Sequence, residues 1–387
     1  MPVELLYLSH CVPNPPDKGE KIRAYHELTL LAGRYRVHLS CFARSEQEME
    51  DARRLLDRCA SVYVAPLFPF PLHLARAGAR FLLGASLNDA FYSSRRFSRD
   101  LLELIESRRI AGAVAYTAVM APFVPEGMPF VLDMTDVDSE KWRSYAKHRK
   151  PSFLFQTEAE RLVQLEVREA RRAELTLLTT AAERDVMLRH DPRLRCEVME
   201  NGVDFDYFDP AACPGDPPLA ARRYLLFCGT LDYYPNEQGI VEFARNVFPL
   251  LRQRDPGLEL LIVGRNPGPR VLALSALPGV EVTGTVSDVR PYYRHALATV
   301  APLRIARGIQ NKVLESLAMN RPVLASPAVC QTFGGRLPEG VRCCASPEDY
   351  AEPAGGGDLR QSARARFSWK KNLAVLERAV AELGRRG

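Results

Sequence analysis

Apolar residues in this chain fall into short continuous runs separated by longer amphipathic stretches. One series occupies residues 3–8, 37–41, 62–65, 113–116, 130–132 and 175–178. A second occupies 224–228, 258–263, 280–282, 297–300, 322–325 and 341–344. Runs of this length, apolar throughout, predict strands buried on both faces. Their alternation with helical stretches predicts parallel sheets covered on both sides, and two series predict two doubly wound α/β domains. Thr180 with Glu183, and Ser346-Pro347-Glu348-Asp349, mark helix starts. Asn201-Gly202 reads as a turn, and the Pro/Gly/Ala-rich stretch 210–221 as an interdomain linker.

Length supports the division, since 387 residues exceed one ordinary core. Apolar content of 47% and charged content of 26% are those of a globular protein. A net charge of +5, with no basic tail, gives no reason to expect nucleic acid as a partner. Nine Cys without CxxC spacing, two of them adjacent at Cys343-Cys344, predict reduced thiols and a cytoplasmic setting. The opening MPVELLYLSH reads as a strand and not as a signal peptide, and no run approaches the roughly 20 apolar residues of a membrane span.

Chemistry concentrates between Ala301 and Pro322. A strand ends, a loop carries Arg304, Arg307 and Gly308, and a helix then opens with Lys312 and Glu315. Helix N-termini attract anions, and the surrounding cations suit a phosphate-bearing ligand that also has hydroxyls to be read. Gly229, Gly264-Arg265 and Gly284-Thr-Val-Ser-Asp288 follow successive strands, where open α/β sheets bind ligands. Each is also compatible with an ordinary strand end, and Lys312 with Glu315 with ordinary solvated helix charges. In the first half, Lys18, Gly19 and Arg23 form a loop-to-helix anion site or a solvated basic loop. Asp133, Asp136 and Asp138 follow a strand; carboxylates can hold hard cations, but the two-domain pattern argues against a metal here, and Asp136 is a catalytic candidate. The apolar stretch 67–109 carries Arg76, Arg80, Arg95, Arg96 and Arg99, and between His73 and Arg99 only Asp89 is acidic. It suits either an anionic membrane face or ordinary helices with solvated Arg. His10 ends the first strand. No Ser-His-Asp set, zinc motif or P-loop is evident.

The string Asn311-Lys312-Val313-Leu314-Glu315, together with Asn201-Gly-Val-Asp-x3-Phe-x-Pro210, resembles the retaining glycosyltransferases of family 4. That resemblance implies the GT-B fold, two Rossmann-like domains facing a cleft: residues 1–203 on the acceptor side, 204–366 for the donor, and a closing helix within 367–387 packing on the first domain. It implies a nucleotide-diphosphate sugar as donor, read by Val286 and Asp288 at the base and Glu315 at the ribose. Gly229, Gly264 and Arg265 would line the same cleft. Lys312 and the backbone of Gly308, Ile309, Gln310 and Asn311 would meet the diphosphate, with Arg304 and Arg307 adding charge. Lys18, Gly19 and Arg23 would touch phosphate or acceptor. The acceptor would be a glycan or a polyprenyl-linked lipid, and neither cofactor nor metal is implied for the chemistry. Three departures stand out. Arg307 occupies the family's first Glu, Gly229–Asn236 lacks the usual Arg and Lys, and Thr135-Asp136 replaces a His-Asp pair. The strings Asp136-Val-Asp-Ser-x-Lys-Trp142 and Asp232-Tyr-x-Pro-Asn236 resemble a narrower group, encoded with bacterial exosortase (PEP-CTERM) and exopolysaccharide systems. A nucleotide-sugar epimerase on the same fold, or a silent sugar-nucleotide binding module, are the alternatives.

Overall fold

The computed structural model describes residues 3–352 and 355–384. The chain divides into two compact units. The first holds the described residues of Met1–Met199 and Leu373–Gly387, the second Glu200–Asn372.

In the first unit, seven parallel strands are β1 (Glu4–Ser9), β2 (Arg36–Ala43), β3 (Ser61–Pro66), β4 (Gly112–Tyr116), β5 (Phe130–Thr135), β6 (Leu175–Leu178) and β7 (Cys196–Val198). They lie in the order β3-β2-β1-β4-β5-β6-β7. The second unit orders β8 (Tyr224–Cys228), β9 (Glu259–Val263), β10 (Val280–Gly284), β11 (Ala298–Ala301), β12 (Val323–Ala325) and β13 (Val341–Cys343) as β10-β9-β8-β11-β12-β13. Both sheets are doubly wound, as the apolar runs predict. Central strands such as β4 and β8 are buried along their whole length, because helices cover both faces. β7 was not expected: three residues, Cys-Glu-Val, are too short and mixed to stand out.

In each sheet the strand order reverses between two central neighbours, β1 with β4 and β8 with β11. Crevices outside the carboxyl ends of such strands are the fold's binding positions. They fall at His10 and Thr117 in the first unit, and at Gly229 and Pro302 in the second.

The stretch 210–221 is not the linker its composition predicts. It belongs to the second unit, carries a short helix (Pro217–Ala220), and buries Cys213 and Leu219 against Tyr224 and Tyr293. The chain enters that unit at Glu200. The Val203 N–H donates to the Phe367 carbonyl at 2.9 Å, and Asn372 Nδ2 donates to the Asn201 carbonyl at 3.2 Å. The helix Ala374–Leu383 then packs on β4 and β5 of the first unit. Residues 385–387 of the expected closing segment lie outside the described residues.

Candidate functional site

The second unit gathers its polar groups where β8 and β11 end. After β11, the chain passes Arg304 and Arg307, turns at Gly308 with φ +60°, and enters the helix Asn311–Ala318. Gln310 precedes that helix without capping it through its side chain; its Nε2 instead donates to the carbonyls of Arg307 (3.1 Å) and Gly308 (3.4 Å). The loop is also held by Asn201 Nδ2, which donates to the Ile309 carbonyl at 3.4 Å.

Lys312 leaves the first turn of this helix and is 7% exposed. Its Nζ donates to Asn236 Oδ1 at 2.6 Å and lies 4.3 Å from the centre of the Phe227 ring. Asn236 is fixed in turn by donating through Nδ2 to the Thr230 carbonyl at 2.9 Å. A Cβ on Gly229 would stand 3.2 Å from the ammonium, so the cation sits directly beside the loop backbone. Burial pulls its pKa down to about 8, with Cys228 and Glu315 opposing. Gly264 completes the floor: a Cβ there would lie 1.7 Å from the Gly229 carbonyl oxygen, so only glycine fits.

One turn along the helix, Glu315 accepts the Tyr293 hydroxyl at 2.7 Å. Burial raises its pKa, against the opposing Tyr293 hydrogen bond and Lys312 charge. Beneath lies Cys228, its thiol pushed up to about 12 by burial. An ammonium held by one neutral amide and one ring has charge to spare for an anion, and Glu315 can accept hydroxyls.

Other predicted residues have different fates. Asp288 is clamped by Arg290, with Nε at 3.0 Å and Nη2 at 2.7 Å, and Arg290 lies over the Tyr207 ring at 4.3 Å. Tyr207 also donates to Asp288 at 3.4 Å. Val286 packs against the apolar cluster that contains Tyr293. Asp232, the carboxylate of the Gly229 loop, is exposed and accepts from Asn266 Nδ2 at 3.1 Å. Arg304 does not join Lys312: it is exposed and pairs with Glu242. Arg307 is half-buried, and the Arg265 carbonyl accepts the Leu231 N–H at 2.9 Å.

In the first unit the expectation for Arg23 is corrected. It is 2% exposed and points inward. Nε and Nη2 grip Asp133 at 2.6 and 2.8 Å, Nε reaches Glu27 at 3.2 Å, and Nη1 donates to the Met199 carbonyl at 2.7 Å. It is a buried anchor, not a loop cation. Lys18 and Gly19 do open the helix Gly19–Ala32, with the Lys18 carbonyl accepting from Lys21 and Ile22. Asp136 accepts from Thr179 Oγ1, and burial raises its pKa. Asp138 pairs with Lys141. Among the described residues no group of three or more His, Cys, Asp or Glu could hold a metal ion. At the end of β1, His10 meets Glu20 at 3.3 Å and stacks on Tyr116, while Arg44 donates to the Tyr92 hydroxyl at 2.7 Å. Burial works against Glu20 ionising, yet His10, Arg44 and Lys18 hold it well below the usual carboxylate range.

Sequence reasoning gave no role to Asn236, Phe227, Tyr293 or Arg290. Only Asn236 carried a signal, lying within a string already noted.

Residues 222–353 match the family model described as Glycosyl transferases group 1. The matched segment contains every residue of the Lys312 site except Asn201. No curated protein matches the chain. Among solved structures, sucrose-phosphate synthase from Thermosynechococcus elongatus superposes with a TM-score of 0.70 at 14% identity, covering 100% of both chains. HepE from Anabaena, in complex with UDP and glucose, gives 0.67 at 13% identity over 98% of this chain and 100% of its own. WaaG, a glycosyltransferase involved in lipopolysaccharide biosynthesis, gives 0.61 at 14% identity over 95% and 93%. The fold is thus that of GT-B glycosyltransferases.

Proposed function

We propose that the chain is a retaining glycosyltransferase of family 4, moving a sugar from a nucleotide-diphosphate donor to a glycan or polyprenyl-linked acceptor in bacterial exopolysaccharide synthesis. The observation that carries this reading is the buried Lys312 ammonium, held by Asn236 against the Gly229 backbone within a glycosyltransferase group 1 segment. The loop that lacks the usual cations receives one from across the site. HepE, solved with UDP-glucose, supports a nucleotide sugar as the donor.

In this reading the bond from the anomeric carbon to the diphosphate oxygen breaks, and a bond to the acceptor oxygen forms on the same face. Negative charge grows on the leaving phosphate. Lys312 and the N–H groups opening the helix Asn311–Ala318 stabilise it, which is electrostatic catalysis. The leaving phosphate takes the acceptor's proton, so no protein nucleophile is needed. Glu315 accepts the ribose hydroxyls, and Asp288 with Val286 flank the base. No metal takes part.

Isothermal titration of the full chain with UDP-, GDP-, ADP- and TDP-sugars tests the reading. Tight binding of one sugar nucleotide, weakened in Lys312→Met and Glu315→Ala, is expected. Absence of binding to all four would refute it. Donor consumption without any acceptor would point to an epimerase, and binding without consumption to a silent module.

A further inference from the structure

The helix Phe70–Leu82 exposes the residues that surface helices normally hide. Ala77 alone is fully buried, while Leu72 is 56% exposed, Leu82 85%, and Leu83 just beyond it 87%. Arg76 and Arg80 border this outward face, and residues 70–88 contain no Asp or Glu. A second exposed pair, Phe153 at 66% and Leu154 at 42%, opens the helix Ser152–Arg172 directly after Arg149 and Lys150.

The two patches are tied together. Arg161 Nη1 donates to the carbonyls of Phe81 (2.5 Å) and Ala85 (3.0 Å), and its guanidinium covers the Phe81 ring at 4.4 Å. Glu158 accepts from Ser86 Oγ at 2.8 Å and from the N–H groups of Leu87 and Asn88 at 2.6 and 3.0 Å. Leu154, Glu158 and Arg161 share one helix face, so Leu154 lies one turn from these contacts. Arg96 and Arg99, which the sequence places in the same basic stretch, pair instead with Asp100. Among the described residues no helix is long and apolar enough to cross a membrane.

We propose that this face of the first unit docks on the surface of an anionic phospholipid bilayer. Leu72, Leu82, Leu83 and Phe153 enter the boundary between headgroups and acyl chains, and Arg76 and Lys150 meet lipid phosphates. Apolar residues flanked by cations are the composition that binds such an interface. A second copy fits worse, because self-association through this face sets cation against cation with no exposed acid between residues 70 and 88 to meet them. The proposal rests on this surface and not on the transferase reading.

The test is co-sedimentation of the full chain with vesicles of mixed phosphatidylglycerol and phosphatidylcholine, and with phosphatidylcholine alone. Partitioning onto the anionic vesicles, weakening with salt, is expected. The double variant Leu82→Gln/Leu83→Gln should lose at least about tenfold of that partitioning with an unchanged melting temperature, since both side chains leave only water. Arg76→Gln/Lys150→Gln should remove mainly the salt-sensitive part. The proposal is overturned if the chain stays in the supernatant with both vesicles, or if the Leu variant partitions like the parent. It is equally overturned if sedimentation velocity finds a dimer that Leu82→Gln/Leu83→Gln dissociates and that ignores vesicles. Donor titration of the same variants should be unaffected, which separates this outcome from that of the transferase reading.

Discussion

Among the described residues Lys21, Arg23 and Lys312 are deeply buried cations, and Arg23 of the first unit and Lys312 of the second are held in opposite ways. Arg23 is saturated: two carboxylates and a backbone carbonyl take its donors. Burial opposes its charge, yet Asp133 and Glu27 hold the guanidinium protonated well beyond the ordinary range. Lys312 has one amide oxygen and one ring, and burial wins. A saturated cation is structural, because nothing is left for a ligand. An under-satisfied one is costly in the empty protein and valuable when an anion arrives. The number of partners, not the residue type or its neighbouring glycine, separates the two roles.

The largest test of this contrast is Arg23→Met. It leaves the Asp133 carboxylate buried without its counter-charge, beside a Glu27 that burial and Asp133 keep protonated, and should cost about 3–5 kcal/mol or prevent folding, read by urea unfolding. Lys312→Met should act on the other axis. Its melting temperature should be no lower than that of the parent, while kcat falls about 10²–10³-fold. Equal loss of stability in both variants would erase the distinction.

Glu315→Ala should weaken donor binding about ten- to hundredfold, the worth of hydrogen bonds to a charged group, measured by titration calorimetry. The next effect is on pH. Lys312 in the empty protein is charged below about 8. kcat/KM should therefore fall about tenfold per pH unit above that point, with Lys312→Arg moving the limb upward. Stability should run the other way. Folding depresses this pKa from 10.5 to about 8, so the unfolded chain binds more protons in that window and the group's contribution to stability rises with pH across it. The smallest effect is expected for Arg304→Ala, since an exposed pair with Glu242 is worth at most about 1 kcal/mol; kcat should hardly change.

These residues also mark what the sequence could tell. Uninterrupted apolar runs made the sheets readable, because burial on both faces leaves no alternation to disguise them. Lys312 and Glu315 were readable because they stand three residues apart on one helix. Arg23 was misread because its deciding partner, Asp133, is 110 residues away. Asn236 acquires its role from a lysine 76 residues distant, which no local pattern encodes. The stretch 210–221 has the composition of a linker, yet Cys213 and Leu219 are buried, and only the fold shows which Pro-rich segments find a core.

The second unit is nested within the first along the chain, entered at Glu200 and left at Asn372, with Asn372 bonded to Asn201. This sets an order of assembly. During synthesis the second unit has all of its residues once Asn372 emerges, whereas β4 and β5 still await the helix Ala374–Leu383, whose Leu383 packs against Gly112. The half that begins first is finished last. The same closeness of entry and exit makes Glu200–Asn372 a cassette: related chains could exchange it at two neighbouring points, trading one set of ligand contacts for another without rebuilding the host.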